Sequence, residues 1–158
     1  MFGLFKEKAL EEIGAPVAGR AIASSEVPDP TFAEEMLGKG VAIEPSEGKV
    51  YAPCDGTVAM VFETKHAISF ESAKGVEILV HVGIDTVMLK GEHYKACVAD
   101  GDTVKKGDLV LEFDMDGIRE AGYKLVTPVV ICNTDDYKNV KGITGMEVKP
   151  GDTVIQVF

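Results

Sequence analysis

The chain has 158 residues, with 16 Lys and Arg against 26 Asp and Glu and a formal net charge of -10. That length suits one domain with a single core that needs no disulfide or metal. The acidic balance argues against a nucleic-acid partner, whose phosphates call for clustered Lys and Arg, and it suits encounters with basic protein surfaces. Cys54, Cys97 and Cys132 are widely spaced and form no C-x-x-C pair, which speaks against a zinc ribbon or redox dithiol and for reduced thiols in the cytoplasm. No apolar run reaches the roughly 18 residues of a membrane helix. The opening stretch Met1 to Lys8 mixes charges where a signal peptide would be apolar. Residues 1–14 read as a flexible leader and residues 15–158 as one domain.

Along the chain, short apolar stretches recur about every 8–12 residues between Gly, Pro, Asp and Ser, the rhythm of an all-β antiparallel sandwich or barrel with hairpin and Greek-key connections. The expected strands are Val17–Ala23, Val41–Glu44, Lys49–Ala52, Thr57–Phe62, His66–Glu71, Val76–His81, Tyr94–Val98, Leu109–Phe113, Thr127–Cys132 and Thr153–Phe158. One short helix is expected after the Asp29 cap and Pro30, running through Phe32 to Gly38; another covers Met115 to Ala121 and stops at Gly122. Gly-Asp pairs lead into strands at Gly101-Asp102, Gly107-Asp108 and Gly151-Asp152, a turn solution used repeatedly. These echoes are too short for a repeat architecture.

The segment from Phe62 to His81 holds two of the three histidines. A tight turn at Ser72-Ala73-Lys74-Gly75 would pair Ser72 with Gly75 and Glu71 with Val76, and counting outward sets His66 opposite His81. Directly opposed residues share a face with Cβ atoms roughly 4.5–5.5 Å apart. A one-residue slip would reverse one of the two faces. Alternation sends Val76, Ile78, Val80 and Val82 into the core and leaves Glu77, Leu79 and His81 on the other face, with Ile68 and Phe70 beside His66. The expected result is two accessible imidazoles on an apolar patch, of the kind that meets a partner.

Such a pair suits phosphoryl transfer. One imidazole attacks phosphorus while the other donates to the phosphoryl oxygens, and both roles are open to a group that titrates near neutral pH. The Thr64 hydroxyl could orient the His66 ring. Zinc is a second possibility, because His81 and Asp85 have a His-x-x-x-Asp spacing. No His-x-His completes a catalytic ligand set, however, so no metal site is assigned. His93 reads as a solvated loop residue without a role.

Taken together, Phe62-Glu63-Thr64-Lys65-His66-Ala67, Val80-His81-Val82-Gly83-Ile84-Asp85-Thr86-Val87 and Leu89-Lys90-Gly91 resemble the signature of the glucose-type enzyme IIA of the phosphoenolpyruvate-dependent phosphotransferase system. Supporting stretches lie at Val27-Pro28-Asp29, Phe32-Ala33-Glu34, Ala52-Pro53, Asp55-Gly56-Thr57 and Leu125 to Val130. The resemblance runs from about Ala15 to Phe158. It implies that His81 carries the phosphoryl group on Nε2 and that His66 stabilises it. Thr64 would support His66, and the Gly83 carbonyl would hold the His81 ring through Nδ1. Asp29 and Asp85 would be rim acids, with Phe32, Leu37, Phe62, Ile68, Leu79 and Val87 as an apolar docking ring. The implied donor is the histidine phosphocarrier protein, and the implied acceptor is a cysteine on the IIB domain of a membrane sugar permease. The implied activity is that of a phosphotransferase component without cofactor, cytoplasmic and transiently associated with the permease.

The sequence departs from this pattern at Pro30-Thr31, where many relatives have apolar residues, and in a leader that does not clearly match a membrane-touching helix. The competing class is a carrier module of the biotinyl or lipoyl type, which shares the Gly-Asp turns and would display a lysine such as Lys74 at a hairpin tip. A zinc hydrolase is the third reading.

Overall fold

The computed structural model describes residues 7–158. Among the described residues are fourteen short strands and two short α-helices: β1 Glu11–Gly14, β2 Gly19–Ala23, α1 Pro30–Ala33, β3 Lys39–Pro45, β4 Lys49–Tyr51, β5 Gly56–Val61, β6 Ala67–Ser72, β7 Glu77–His81, β8 Tyr94–Ala96, β9 Thr103–Val104, β10 Leu109–Phe113, α2 Met115–Glu120, β11 Thr127–Ile131, β12 Val140–Gly142, β13 Glu147–Val148 and β14 Thr153–Val157. All pairings are antiparallel. An eight-stranded sheet in the order β13-β2-β3-β11-β7-β6-β5-β9 is accompanied by three-stranded sheets β1-β14-β12 and β4-β10-β8. The fold is the expected all-β antiparallel sandwich. Among the described residues, no helix is long and apolar enough to cross a membrane.

The main core takes the inward side chains of all three sheets, including Val41, Ile43, Val50, Ile68, Phe70, Ile78, Val80, Leu111 and Ile155. A second, smaller cluster of Val27, Phe32, Ala42, Ala67, Leu79, Ile84 and Val130 lies on the opposite face of the large sheet. The alternation in β6, β7 and β11 generates both clusters, since successive side chains point to opposite faces.

Three expectations need correction. The leader drawn to residue 14 runs too far: Glu11–Gly14 pair with β14, and Ile13 is buried in the main core. Residues 1–6 of that leader lie outside the described residues. The strand has mixed polarity and only four residues, so periodicity alone does not reveal it. The helix after Asp29 lasts only four residues, Pro30–Ala33, capped by the Asp29 carboxylate accepting from the Thr31 N–H at 2.9 Å. Glu35, at φ 55°, turns the chain before Gly38.

The third correction concerns the β6–β7 register. Ala67 faces His81, Ile68 faces Val80 and Glu71 faces Glu77, one residue away from the expected ladder. The cause is a three-residue loop in place of a two-residue one. The Ser72 N–H donates to the Val76 carbonyl, the Gly75 N–H donates to the Ser72 carbonyl, and Gly75 sits at φ 89°. The Ser72 hydroxyl oxygen also accepts from the Val76 N–H at 3.0 Å. Loops of this kind take a glycine in the left-handed region.

A histidine pair at the end of a hairpin

The register shift sends Ile68 and Phe70 into the main core with Val80 and Ile78. Ile68 has no exposed surface, so it cannot belong to a docking ring. The two histidines meet nonetheless, with ring centroids 4.8 Å apart and planes at 83°. They do so because His66 precedes the regular part of β6, which starts at Ala67. Lys65, at φ 58°, turns the chain just before it. Strand alternation therefore does not govern the His66 side chain. Its carbonyl still accepts from the Val82 N–H at 2.7 Å, which fixes the two chain segments to each other.

Each ring is held by its Nδ1. His81 Nδ1 lies 2.7 Å from the Gly83 carbonyl oxygen. A carbonyl can only accept, so Nδ1 carries the proton and the Nε2 lone pair is left free. His66 Nδ1 lies 2.6 Å from Thr64 Oγ1. With that hydroxyl donating, Nδ1 accepts and Nε2 bears the proton. The two rings then have opposite tautomers, one Nε2 a nucleophile and the other a donor. Phe32 packs on His81 with centroids 4.9 Å apart, and Phe62 packs edge-on against His66 at 5.7 Å.

This apolar setting keeps both imidazoles neutral. Burial, and secondarily the neighbouring His81, lowers the His66 pKa to about 4. Burial also lowers that of His81, opposed by the hydrogen bond to Gly83 and by the charges of Asp29 and Asp85. His66 is 4% exposed and His81 is half-buried, so the expected pair of open imidazoles is a recessed pair.

Phe32 and Leu79, expected in the docking ring, are buried at 5% and 8% exposure and form part of the floor. Phe62 is half-buried, whereas Leu37 and Val87 are exposed, as is Asp85; Asp29 is half-buried at its helix cap. Met36 and Met88, which the sequence had not singled out, are more exposed than either Leu37 or Val87. Nothing in their spacing distinguishes them from core methionines. His93 stands apart from the pair. It is half-buried, its Nδ1 is 3.7 Å from the Asp114 carboxylate, and its ring occupies the space that a Cβ at Gly117 would need. It is therefore a packed residue rather than a solvated one. Lys74 donates its ammonium to the Leu10 carbonyl at 2.7 Å, so it is tied to the N-terminal segment and not displayed. Among the described residues, no group of three or more His, Cys, Asp or Glu side chains is placed to hold a metal.

The β-sandwich thus recesses two imidazoles at a hairpin end, with the free Nε2 of His81 on a ring packed edge-on against that of His66. Residues 11–137 match the family model for the phosphoenolpyruvate-dependent sugar phosphotransferase system, EIIA 1, and the chain belongs to that family. It is a phosphocarrier component of phosphotransferase type in sugar transport. Within the family it is similar, end to end, to glucose-specific EIIA components. It is 47% identical over 156 residues to that of Oceanobacillus iheyensis, covering 97% of this chain and 94% of that protein. It is 44% identical over 155 residues to that of Bacillus cereus, covering 98% and 94%. A solved glucose permease IIA from Mycoplasma capricolum superposes with a TM-score of 0.86 at 35% identity, covering 95% of this chain and 96% of that one. The chain also matches 23% of a beta-glucoside-specific EIIBCA component from Dickeya chrysanthemi, at 46% identity over 147 residues and 93% of this chain.

Proposed function

We propose that His81 carries the phosphoryl group on Nε2, that His66 stabilises it through Nε2–H, and that the group passes from the histidine phosphocarrier protein to a cysteine of the IIB domain of a glucose-type sugar permease. The observation that carries this reading is the Nδ1 bond of His81 to the Gly83 carbonyl beside the His66 ring. In the first step the His81 Nε2 lone pair forms a bond to phosphorus as the donor's N–P bond breaks. No proton need leave, because the phosphorylated ring keeps Nδ1–H and its growing positive character is met by the Gly83 carbonyl dipole. In the second step a cysteine sulfur takes the phosphoryl group and the N–P bond to His81 breaks.

Positioning and charge stabilisation suffice for such a transfer, with no cofactor. The Phe32, Phe62 and Leu79 floor limits water, which would otherwise hydrolyse the N–P bond. Exposed Leu37 and Val87, with Asp85 and the carboxylate of Asp29, suit a docking partner that is apolar at its centre and basic at its rim. The relatives in which EIIA is part of an EIIBCA component support a phosphotransferase permease as partner. In this reading the protein works in the cytoplasm and meets the membrane only through that permease.

The test uses phosphoenolpyruvate, the first enzyme of the system and the histidine phosphocarrier protein. An acid-labile, base-stable phosphoryl group should appear on this chain. His81→Ala should abolish labelling, and His66→Ala should accept the group but fail to pass it on. Normal labelling of His81→Ala would overturn the assignment.

A further inference from the structure

Gly83 stands between two peptide planes, and both are pinned. On its far side the Ile84 N–H donates to the Lys124 carbonyl at 3.1 Å. In a trans peptide the N–H and C=O point in opposite directions, so this bond turns the Gly83 carbonyl away from Lys124. On the near side the Val82 carbonyl accepts two buried hydroxyls, Thr86 Oγ1 at 2.7 Å and Tyr94 Oη at 2.8 Å. The Val82 N–H is in turn bound to the His66 carbonyl. Thr86 is fully buried and Tyr94 is 7% exposed. Two side-chain hydroxyls on one buried carbonyl exceed what satisfying that group requires, since one partner would do. Their convergence fixes the Val82–Gly83 plane. Gly83, at φ 89°, then has its carbonyl aimed at His81 Nδ1. The fit is close: a Cβ on Gly83 would come within 2.5 Å of Thr86 Cγ2 and 2.9 Å of the Lys124 oxygen.

We infer that Thr86 and Tyr94 are positioning residues for phosphoryl transfer, acting through the Val82–Gly83 peptide to hold His81 in the Nδ1–H tautomer with Nε2 free. The inference rests on the proposed role of His81. Neither residue touches the phosphoryl group. Their hydroxyls keep one acceptor in place, and that acceptor decides which nitrogen of His81 is nucleophilic. If the plane is loosened, the carbonyl swings away and the Nε2–H tautomer, which cannot attack through Nε2, gains population.

The experiment compares wild type, Tyr94→Phe, Thr86→Val, the double variant and Thr86→Ser in the full chain. Nitrogen-15 NMR of the His81 ring reports the tautomer without any phosphorylation, and a single-turnover assay with the phosphorylated histidine phosphocarrier protein reports transfer. Wild type should be almost wholly Nδ1–H. Thr86→Val with Tyr94→Phe should show a mixture of tautomers and transfer slowed by about tenfold or more, the scale seen when a partner that orients a metal-ligating histidine is removed. Thr86→Ser keeps the hydroxyl while losing the methyl, and should restore the wild-type tautomer when compared with Thr86→Val. A folded double variant with the wild-type tautomer and rate would overturn the inference. So would Thr86→Ser behaving like Thr86→Val, which would mean that packing alone matters. If the double variant fails to fold, Tyr94→Phe alone decides: an unchanged His81 tautomer there refutes a part for the tyrosine hydroxyl. Failure of the His81 assignment itself would be seen separately, as a wild-type protein labelled elsewhere.

Discussion

Acidification should destabilise this protein through His66. Its pKa is about 4 in the folded state against an ordinary value near 6.5. Well above pH 6.5 the ring is neutral whether the chain is folded or not, and it contributes no pH dependence. Below that value the unfolded chain binds a proton that the native site refuses, so stability falls as pH falls, and the loss levels off below pH 4. Linkage with these two values gives about 2 kcal/mol lost at pH 5 and about 3 kcal/mol at pH 4. For a chain of this size the loss at pH 5 corresponds to a melting temperature lower by about 4–8 °C. The measurement is a difference, so that acid effects common to both proteins cancel. Urea unfolding of wild type and His66→Gln should be followed from pH 7.5 to pH 4. Glutamine fills similar space and stays neutral, so the acid loss should be smaller in the variant by that amount. Parallel stability curves for the two proteins would refute the claim that burial holds His66 neutral.

Three further outcomes follow from the geometry. Thr64→Val removes the hydroxyl 2.6 Å from His66 Nδ1; His81 should still be labelled, but onward transfer should slow by about tenfold, as read in a two-step transfer assay. Gly83→Ala places a side chain on a residue at φ 89° and against the Lys124 carbonyl; it should cost about 2 kcal/mol or more in urea unfolding and slow phosphorylation as well. Ile68→Ala, in the core, should cost about 2–5 kcal/mol, while Val87→Ala at the exposed rim should change stability by less than about 0.5 kcal/mol yet weaken docking of the donor, measured by titration calorimetry.

The class of the fold is legible in the sequence. Short apolar stretches such as Thr127–Ile131 and Leu109–Phe113, recurring between Gly-Asp turns, left few alternatives to an antiparallel sandwich. Counting along one hairpin also brought out His66 and His81, with Thr64 beside His66, and the family resemblance added Gly83. Turn chemistry was harder to read. Ser72-Ala73-Lys74-Gly75 can close a two-residue or a three-residue loop, and only the bonds formed by Ser72 and the left-handed Gly75 select the latter. That one-residue difference moved Ile68 from a supposed docking surface into the core. Glu11–Gly14 became a strand only because β14, more than a hundred residues later, offered it an edge.

The histidine pair itself was expected for a reason that proved incorrect. The rings are not cross-strand partners; they meet where the strand ends and Lys65 bends the chain. The chemistry of each ring, by contrast, comes from its three-dimensional surroundings. Burial sets the charge, and Thr86, Tyr94 and the more distant Lys124 converge on the two peptide planes that aim one carbonyl at one nitrogen. A sequence lists residues one after another, whereas tautomer and pKa depend on what surrounds a group in space.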